Sequence, residues 1–362
     1  LTRNGFDGAY SMLYHARRPH EALPIAPESA PKTFELPTDA GPAQLLRRHY
    51  RSLSLEVGGG PALGARRPLL FNSDVVIGVA RPDAADDAYF SNGDGDELFF
   101  VQRGSGFVRS QFGDLRFSSG DYVCIPRGVL HRWVPESSVE QAYLYLECRG
   151  GLFIPPRFRN GTGQLRMDAP YSHRDFGRPV FVGPLDEGHR LSCVKRGDRF
   201  HFYRFEHSPL DVLGWDGSVY PFSFQIRKFQ PRVGLVHLPP PVHTTFEARG
   251  VAICSFVPRP LDFHPLANPC PYPHASVDVD EVLFYANSAF GSRRGVGEGS
   301  ISHHPAGILH GPHPGAYENV PTTHATEELA VMLDCMEPLR ATPTARECED
   351  AEYHGSFRAG QR

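Results

Sequence analysis

The sequence predicts an all-β protein built as two similar barrels in tandem, and three observations lead there. The first is punctuation: 36 Gly and 34 Pro in 362 residues divide the chain into short pieces that suit strands and tight turns better than long helices. The second is spacing. From about Ser52, apolar runs such as Leu69-Leu70-Phe71, Val75 to Val79, Glu97 to Gln102, Gly106 to Arg109, Tyr122 to Ile125 and Ala142 to Glu147 follow one another at roughly ten-residue intervals, separated by Gly, Asp or Pro. The third is an internal repeat. Asp96-Glu97-Leu98-Phe99-Phe100 returns as Asp280-Glu281-Val282-Leu283-Phe284. Each copy leads to one template of Gly, five residues, Pro, one residue, Gly, two residues, His, ending at His131 and at His310. Chance can supply such a match once; twice, in the same order, marks a duplicated unit.

The elements then fall in order. Residues 1–150 are expected to hold an irregular N-terminal arm, with Pro-rich stretches such as Leu23 to Pro27, and the first barrel. Residues 151–200 read as a connector, 201–340 as the second barrel, and 341–362 as a loose polar tail, with a short helix expected at Glu327 to Leu333. Two domains suit this length, at about 100–200 residues each.

Bulk properties exclude several roles. A formal charge of −4 with no basic stripe argues against a nucleic-acid partner, which needs clustered Lys and Arg. No apolar run reaches the roughly 20 residues that span a bilayer, so no membrane partner is expected. No signal peptide opens the chain, so a cytoplasmic location is expected. The first residue is Leu1 rather than Met, and an earlier natural start is expected. The seven cysteines are scattered and never form a CxxC pair, which excludes a zinc ribbon or a thioredoxin motif and leaves buried thiols. Histidine is uneven: nine of the 18 lie between His237 and His324, which points to the C-terminal half as the place of chemistry.

The Gly-Pro-Gly-His template resembles the second motif of the cupin superfamily, and Glu97 with Gly104 resembles the close of the first. The C-terminal copy departs there, with Ser288 in the Gly place. The resemblance implies a bicupin, two tandem jelly-roll barrels. A barrel fixes inward side chains on neighbouring strands, so residues far apart in sequence converge on one interior point. In the first barrel the cupin ligand places before Glu97 hold Phe90, Ser91, Asn92 and Gly93. Only Glu97 and His131 survive there, and that barrel reads as structural. In the second, His274 lies seven residues before Glu281, Ser276 fills the other His place, and His310 closes the set. Two imidazoles and one carboxylate with positions left open suit non-haem Fe(II), although zinc sites use the same donors.

Several segments resemble one family more closely: Gly250-Val-Ala-Ile-Cys-Ser-Phe256, Tyr272-Pro273-His274 and Leu309-His310-Gly311-Pro312, with Leu13-Tyr14-His15, Asn92 to Asp96 and Phe112-Gly113 in the first half. They resemble homogentisate 1,2-dioxygenase. That resemblance implies Fe(II) in the second barrel alone, and cleavage of the homogentisate ring by O₂ to maleylacetoacetate in tyrosine catabolism. It implies His274, Glu281 and His310 as metal ligands and His237 as the catalytic His near a substrate hydroxyl. It further makes His304 a pocket His, with His303 turned away because adjacent strand residues face opposite sides. The family's substrate-contacting Tyr is Phe290 here, which cannot donate a hydrogen bond. Arg293 or Arg294 is expected to receive a carboxylate instead. The expected substrate is homogentisate or a closely related hydroquinone, and the expected assembly a homo-oligomer, a trimer or paired trimers. His243 and His264, next to Pro or Thr in turns, read as surface or loop residues. Two other functions fit the same residues: a metal-dependent cupin isomerase or hydrolase on a small hydroxylated substrate, and a non-catalytic ligand-binding bicupin. Oxygen consumption separates the first from a dioxygenase; absence of iron in the purified protein would favour the second.

Overall fold

The computed structural model of the chain describes residues 1–56, 59–268, 270–290, 292–293, 295–316 and 324–358. The fold is all-β, and the α-helices among these residues are two short ones, Ala62–Ala65 and Pro343–Glu347. None is long and apolar enough to cross a membrane.

Alternation builds the layers. In the strand Asp96–Arg103, Leu98 and Phe100 face one way while Phe99 and Val101 face the other. This strand lies between Asp121–Ile125 and Ala142–Cys148 in an eight-stranded sheet. Its Phe99 face packs against Trp133, Val108 and Phe117 of a seven-stranded sheet that contains His131–Pro135, Ser105–Ser110 and Gly113–Ser118. Those two sheets are the first jelly roll.

A third sheet, of seven strands, runs Leu152–Phe153, Thr244–Ala248, Val251–Phe256, Ala330–Cys335, Asp280–Tyr285, Ser300–His304 and Arg48–Arg51. Val282, Phe284, Ile253, Val331 and Leu333 cover its outer face and join Leu98, Phe100, Leu144 and Leu146 in one apolar cluster, so the barrels share a core back to back. Phe100 and Phe284 meet with ring centroids 6.1 Å apart. Phe284 and Tyr285 are therefore both buried, although alternation alone would have left one of them outside. Truncating Leu333 to Ala in such a core costs about 2–5 kcal/mol.

The inner face of the third sheet carries Glu281, Leu283, Tyr285 and Met332. Across from it, the described residues supply a sparse wall: Arg259–Pro260 paired with Ala325–Thr326, and a bridge between His274 and His310. The gap between them is a cavity of about 440 Å³.

Several sequence expectations move. Leu191–Lys195 and Phe200–Arg204 are strands of the first barrel, and Phe222–Gln225 pairs with Asp121–Ile125, so the connector and the first barrel interleave up to residue 225. The helix expected at Glu327 to Leu333 is instead the strand Ala330–Cys335, because central pairing outweighs the helix propensity of Glu327, Glu328, Leu329 and Ala330. The tail is not loose. Thr342 caps Pro343–Glu347, accepting from the Ala345 N–H at 3.2 Å, and Ala345, Cys348 and Tyr353 are buried. The arm and tail also trade places: Arg48–Arg51 extends the second barrel's sheet, while Arg340–Ala341 extends the first's. All seven cysteines are buried.

Candidate metal centre

The template after the strand is a turn with one purpose. Pro305 accepts a hydrogen bond from the Ile308 N–H at 3.2 Å, and Gly307 between them has φ +78°, a left-handed value that glycine takes without strain. The turn sets His310 beside His274, and the two exchange backbone hydrogen bonds of 2.8 Å each way. Each imidazole then binds a carbonyl two residues back. The Nδ1 of His274 donates to the Tyr272 carbonyl at 2.9 Å, and that of His310 to the Ile308 carbonyl at 3.0 Å. With the proton on Nδ1, both Nε2 atoms present lone pairs.

Glu281 faces them from the Asp280–Tyr285 strand. Its Oε2 lies 3.8 Å from His274 Nε2, and its Oε1 lies 3.4 Å from His310 Nε2. One donor atom from each residue falls within 4.8 Å of the other two. His310 Nε2 is buried without a hydrogen-bond partner, which is costly unless something else takes its lone pair. Two imidazole nitrogens, one carboxylate and an open cavity beside them fit a divalent metal. Burial would raise the Glu281 carboxyl, but His274, His304 and His310 overcome it and hold the group well below the usual carboxylate range. Asp334, directly across from Glu281 on Ala330–Cys335, is pushed up to about 7 by burial and by the Glu281 charge.

The remaining predicted residues divide. His304 is paired with Glu281 across the strands; its Nδ1 lies 2.9 Å from Glu281 Oε1 and its Nε2 lies 2.8 Å from Arg293 Nη1, so both nitrogens are engaged within the protein. His303 faces the opposite side, 3.1 Å from Asp280 Oδ2. Phe290 lines the cavity and meets Tyr285 edge-on at 4.7 Å between centroids. Arg293 lines it too, while Arg294 lies outside the described residues. His237 lines the cavity from an exposed segment, 5.3 Å from the Tyr272 ring.

One residue the sequence placed on the surface belongs inside. His243 is 6% exposed, lines the cavity, packs on Phe256 at 4.6 Å and carries a buried Nδ1 without a hydrogen bond. Burial pushes it down to about 3, so it is neutral at physiological pH. The available signal was its position immediately before Thr244–Ala248, where a side chain enters the barrel wall; the neighbouring prolines masked it.

Known proteins resemble this chain in sequence. Residues 77–226 match the family model of the homogentisate 1,2-dioxygenase N-terminal region. A protein of Saccharolobus solfataricus, provisionally named a dioxygenase, is 33% identical over 353 residues, 97% of this chain and 90% of its own. The homogentisate 1,2-dioxygenase of Nitrobacter hamburgensis is 29% identical over 273 residues, 72% of this chain, and that of Bradyrhizobium diazoefficiens 27% over the same share. The match spans 60% of the length of these two enzymes. Among solved structures, a Bacillus subtilis oxalate decarboxylase aligns with 84% of this chain and 81% of its own at 9% identity and a TM-score of 0.37, too loose a likeness to carry argument.

Proposed function

Since the chain belongs to the homogentisate 1,2-dioxygenase family of bicupins, we propose that it is a ring-cleaving dioxygenase holding Fe(II) on His274, Glu281 and His310. Its proposed substrate is homogentisate or a closely related hydroquinone, opened to a maleylacetoacetate-type product. The observation that carries this reading is the convergence of the three donor atoms within 4.8 Å, beside a cavity of about 440 Å³ that His274 and Glu281 line. Iron, when bound, supplies open positions for a ring hydroxyl and for O₂.

The protein's own residues do the rest. Phe290, Leu283 and Met332 form apolar wall suited to a ring face. Arg293 offers a guanidinium with no carboxylate partner among the described residues, suited to a substrate carboxylate in place of the missing Tyr hydroxyl. A histidine at the cavity accepts the proton of the second ring hydroxyl as general base. His237 is the candidate for that role, lining the cavity from an exposed segment, whereas His243, pushed down to about 3 by burial, is too weak a base and serves as cavity wall. His304, with both nitrogens engaged, acts on Glu281 rather than on substrate. The chain is also proposed to assemble with copies of itself, supported by exposed apolar side chains on cavity-side loops, Leu235, Val236, Phe263 and Leu266 among them.

Anaerobic Fe(II) loading followed by oxygen uptake tests the reading. Homogentisate is expected to drive stoichiometric uptake, and hydroquinones lacking the acetate arm to drive it weakly. No uptake with any hydroquinone would remove the dioxygenase reading and favour a cupin that uses its metal as a Lewis acid.

A further inference from the structure

Arg293 makes its closest contacts inside the protein. Its Nη1 lies 2.8 Å from His304 Nε2 and 3.2 Å from the Tyr353 hydroxyl, which is itself 3.3 Å from His304 Nε2. A guanidinium has only donors, so the nitrogen it touches must carry a lone pair. A neutral imidazole has one proton, and that proton is then on Nδ1, 2.9 Å from Glu281 Oε1. Donation runs one way, from Arg293 through His304 to the carboxylate. The other tautomer would face Arg293 with an N–H, a flipped ring would face it with a C–H, and stacking on His310 at 4.3 Å between centroids and 14° between planes holds the ring's plane. Tyr353 reaches this group from the C-terminal segment and is 2% exposed. The first barrel has no counterpart: the residue paired with Glu97 at this register is Ile125.

We propose that Arg293, acting through His304, is a positioning residue for the metal carboxylate: by fixing the His304 tautomer it keeps a hydrogen bond on Glu281 Oε1, restricting that oxygen and setting how the carboxylate is presented to the metal. The proposal rests on the metal reading above. Tyr353 supports the arrangement by holding the same edge of the guanidinium.

Metal affinity tests this apart from turnover. Co(II) is titrated anaerobically into the full-length protein and its dissociation constant and visible d–d spectrum are measured. Arg293→Met is expected to weaken binding about tenfold and alter the spectrum, as loss of a group supporting a ligand does. His304→Phe should do the same, and the double variant should be no worse than either single one. Arg293→Lys, which keeps a donor for His304 Nε2, should restore most of the affinity, and Tyr353→Phe should have a smaller effect in the same direction. Wild-type affinity in Arg293→Met, or losses that multiply in the double variant, would overturn the proposal while leaving the metal site standing. Glu281→Gln is the control for the reading beneath: if it binds Co(II) like the wild type, the metal assignment fails instead.

Discussion

The two barrels begin from the same strand and the same turn, yet only one is left open. In the first, the Pro126 carbonyl accepts from the Val129 N–H at 3.2 Å and Gly128 has φ +81°, nearly the values found at Pro305 and Gly307. His131 donates from Nδ1 to the Val129 carbonyl at 3.0 Å, its Nε2 is buried without a partner, and Glu97 Oε2 lies 3.6 Å from that nitrogen. The difference is Arg66. Its guanidinium is buried against Glu97 and surrounded by the rings of Phe34, Phe90 and Phe99, so a side-chain cation faces the carboxylate where the second barrel presents His274. Phe90, in a ligand place of the motif, packs edge-on against His131 at 5.7 Å. The walls differ as well. Two full sheets close the first barrel, while among the described residues one sheet and a sparse wall border the cavity of the second. The comparison teaches that the turn and the buried imidazole are properties of the fold, and that a three-donor set forms only where a histidine rather than a side-chain cation meets the glutamate.

The sharpest way to break this comparison is to disable each glutamate. Glu281→Gln is expected to lower iron affinity by at least ~100-fold, read as bound iron after anaerobic dialysis. Glu97→Gln should leave bound iron unchanged and lose stability instead. Bound iron that falls equally in both would mean that the first barrel also holds metal.

Arg66→Met strands a buried carboxylate and should cost about 3–5 kcal/mol in denaturant unfolding. The double variant Arg66→Met/Glu97→Leu removes both charges and should recover most of that loss, since apolar replacement of a buried pair is often neutral. No recovery would place the worth of Arg66 in its aromatic packing rather than in the pair.

For the cavity histidines, His237→Ala should lower turnover about 10²–10⁴-fold with iron content retained, the range for loss of a general base. His243→Ala should cost less, since a ring held near 3 by burial is a poor proton acceptor. The reverse order would move the base to His243.

The smallest effect is on pH. His243 has a folded value pushed down to about 3 by burial, below its unfolded value of about 6.5. The unfolded chain therefore takes up the proton first. The contribution is fully present above about pH 6.5 and is lost as pH falls, reaching roughly 2 kcal/mol at pH 5. The first barrel's buried His131 is lowered in the same sense, so His243→Gln should flatten only part of the acid sensitivity. Unchanged acid unfolding in that variant would mean the ring is more solvated than its burial indicates.

How far the sequence could be read depends on what lies near in the chain. The duplicated Glu strand and Pro-x-Gly-x-x-His turn were legible because their physics is local: alternation aims Glu281 inward, and the glycine delivers His310. His274 followed from spacing. Arg66 as the cation in the first barrel was not legible, because 31 residues separate it from Glu97 and no motif links them. Tyr353 was missed for the same reason, lying in a polar stretch whose fixed place comes entirely from distant partners. His243 was hidden by its Pro neighbours, and the strand Ala330–Cys335 by residues that also favour helix. Interleaving of connector and barrel could not be read, since nothing in Leu191–Lys195 states that its partner is Tyr89–Asn92.

The exchange of strands between the halves bears on how the protein is made. Arg48–Arg51 pairs with Ser300–His303, and Tyr50 bridges to Glu349. Arg48–Arg51 must therefore wait for roughly 250 further residues, about 10–50 s at ordinary synthesis rates, before its hydrogen-bonding edge is satisfied. Until then it is an open strand prone to wrong pairing. Neither half can be expressed alone in a finished form, and nascent-chain protection of Arg48–Arg51 should appear only after the last barrel strands have emerged.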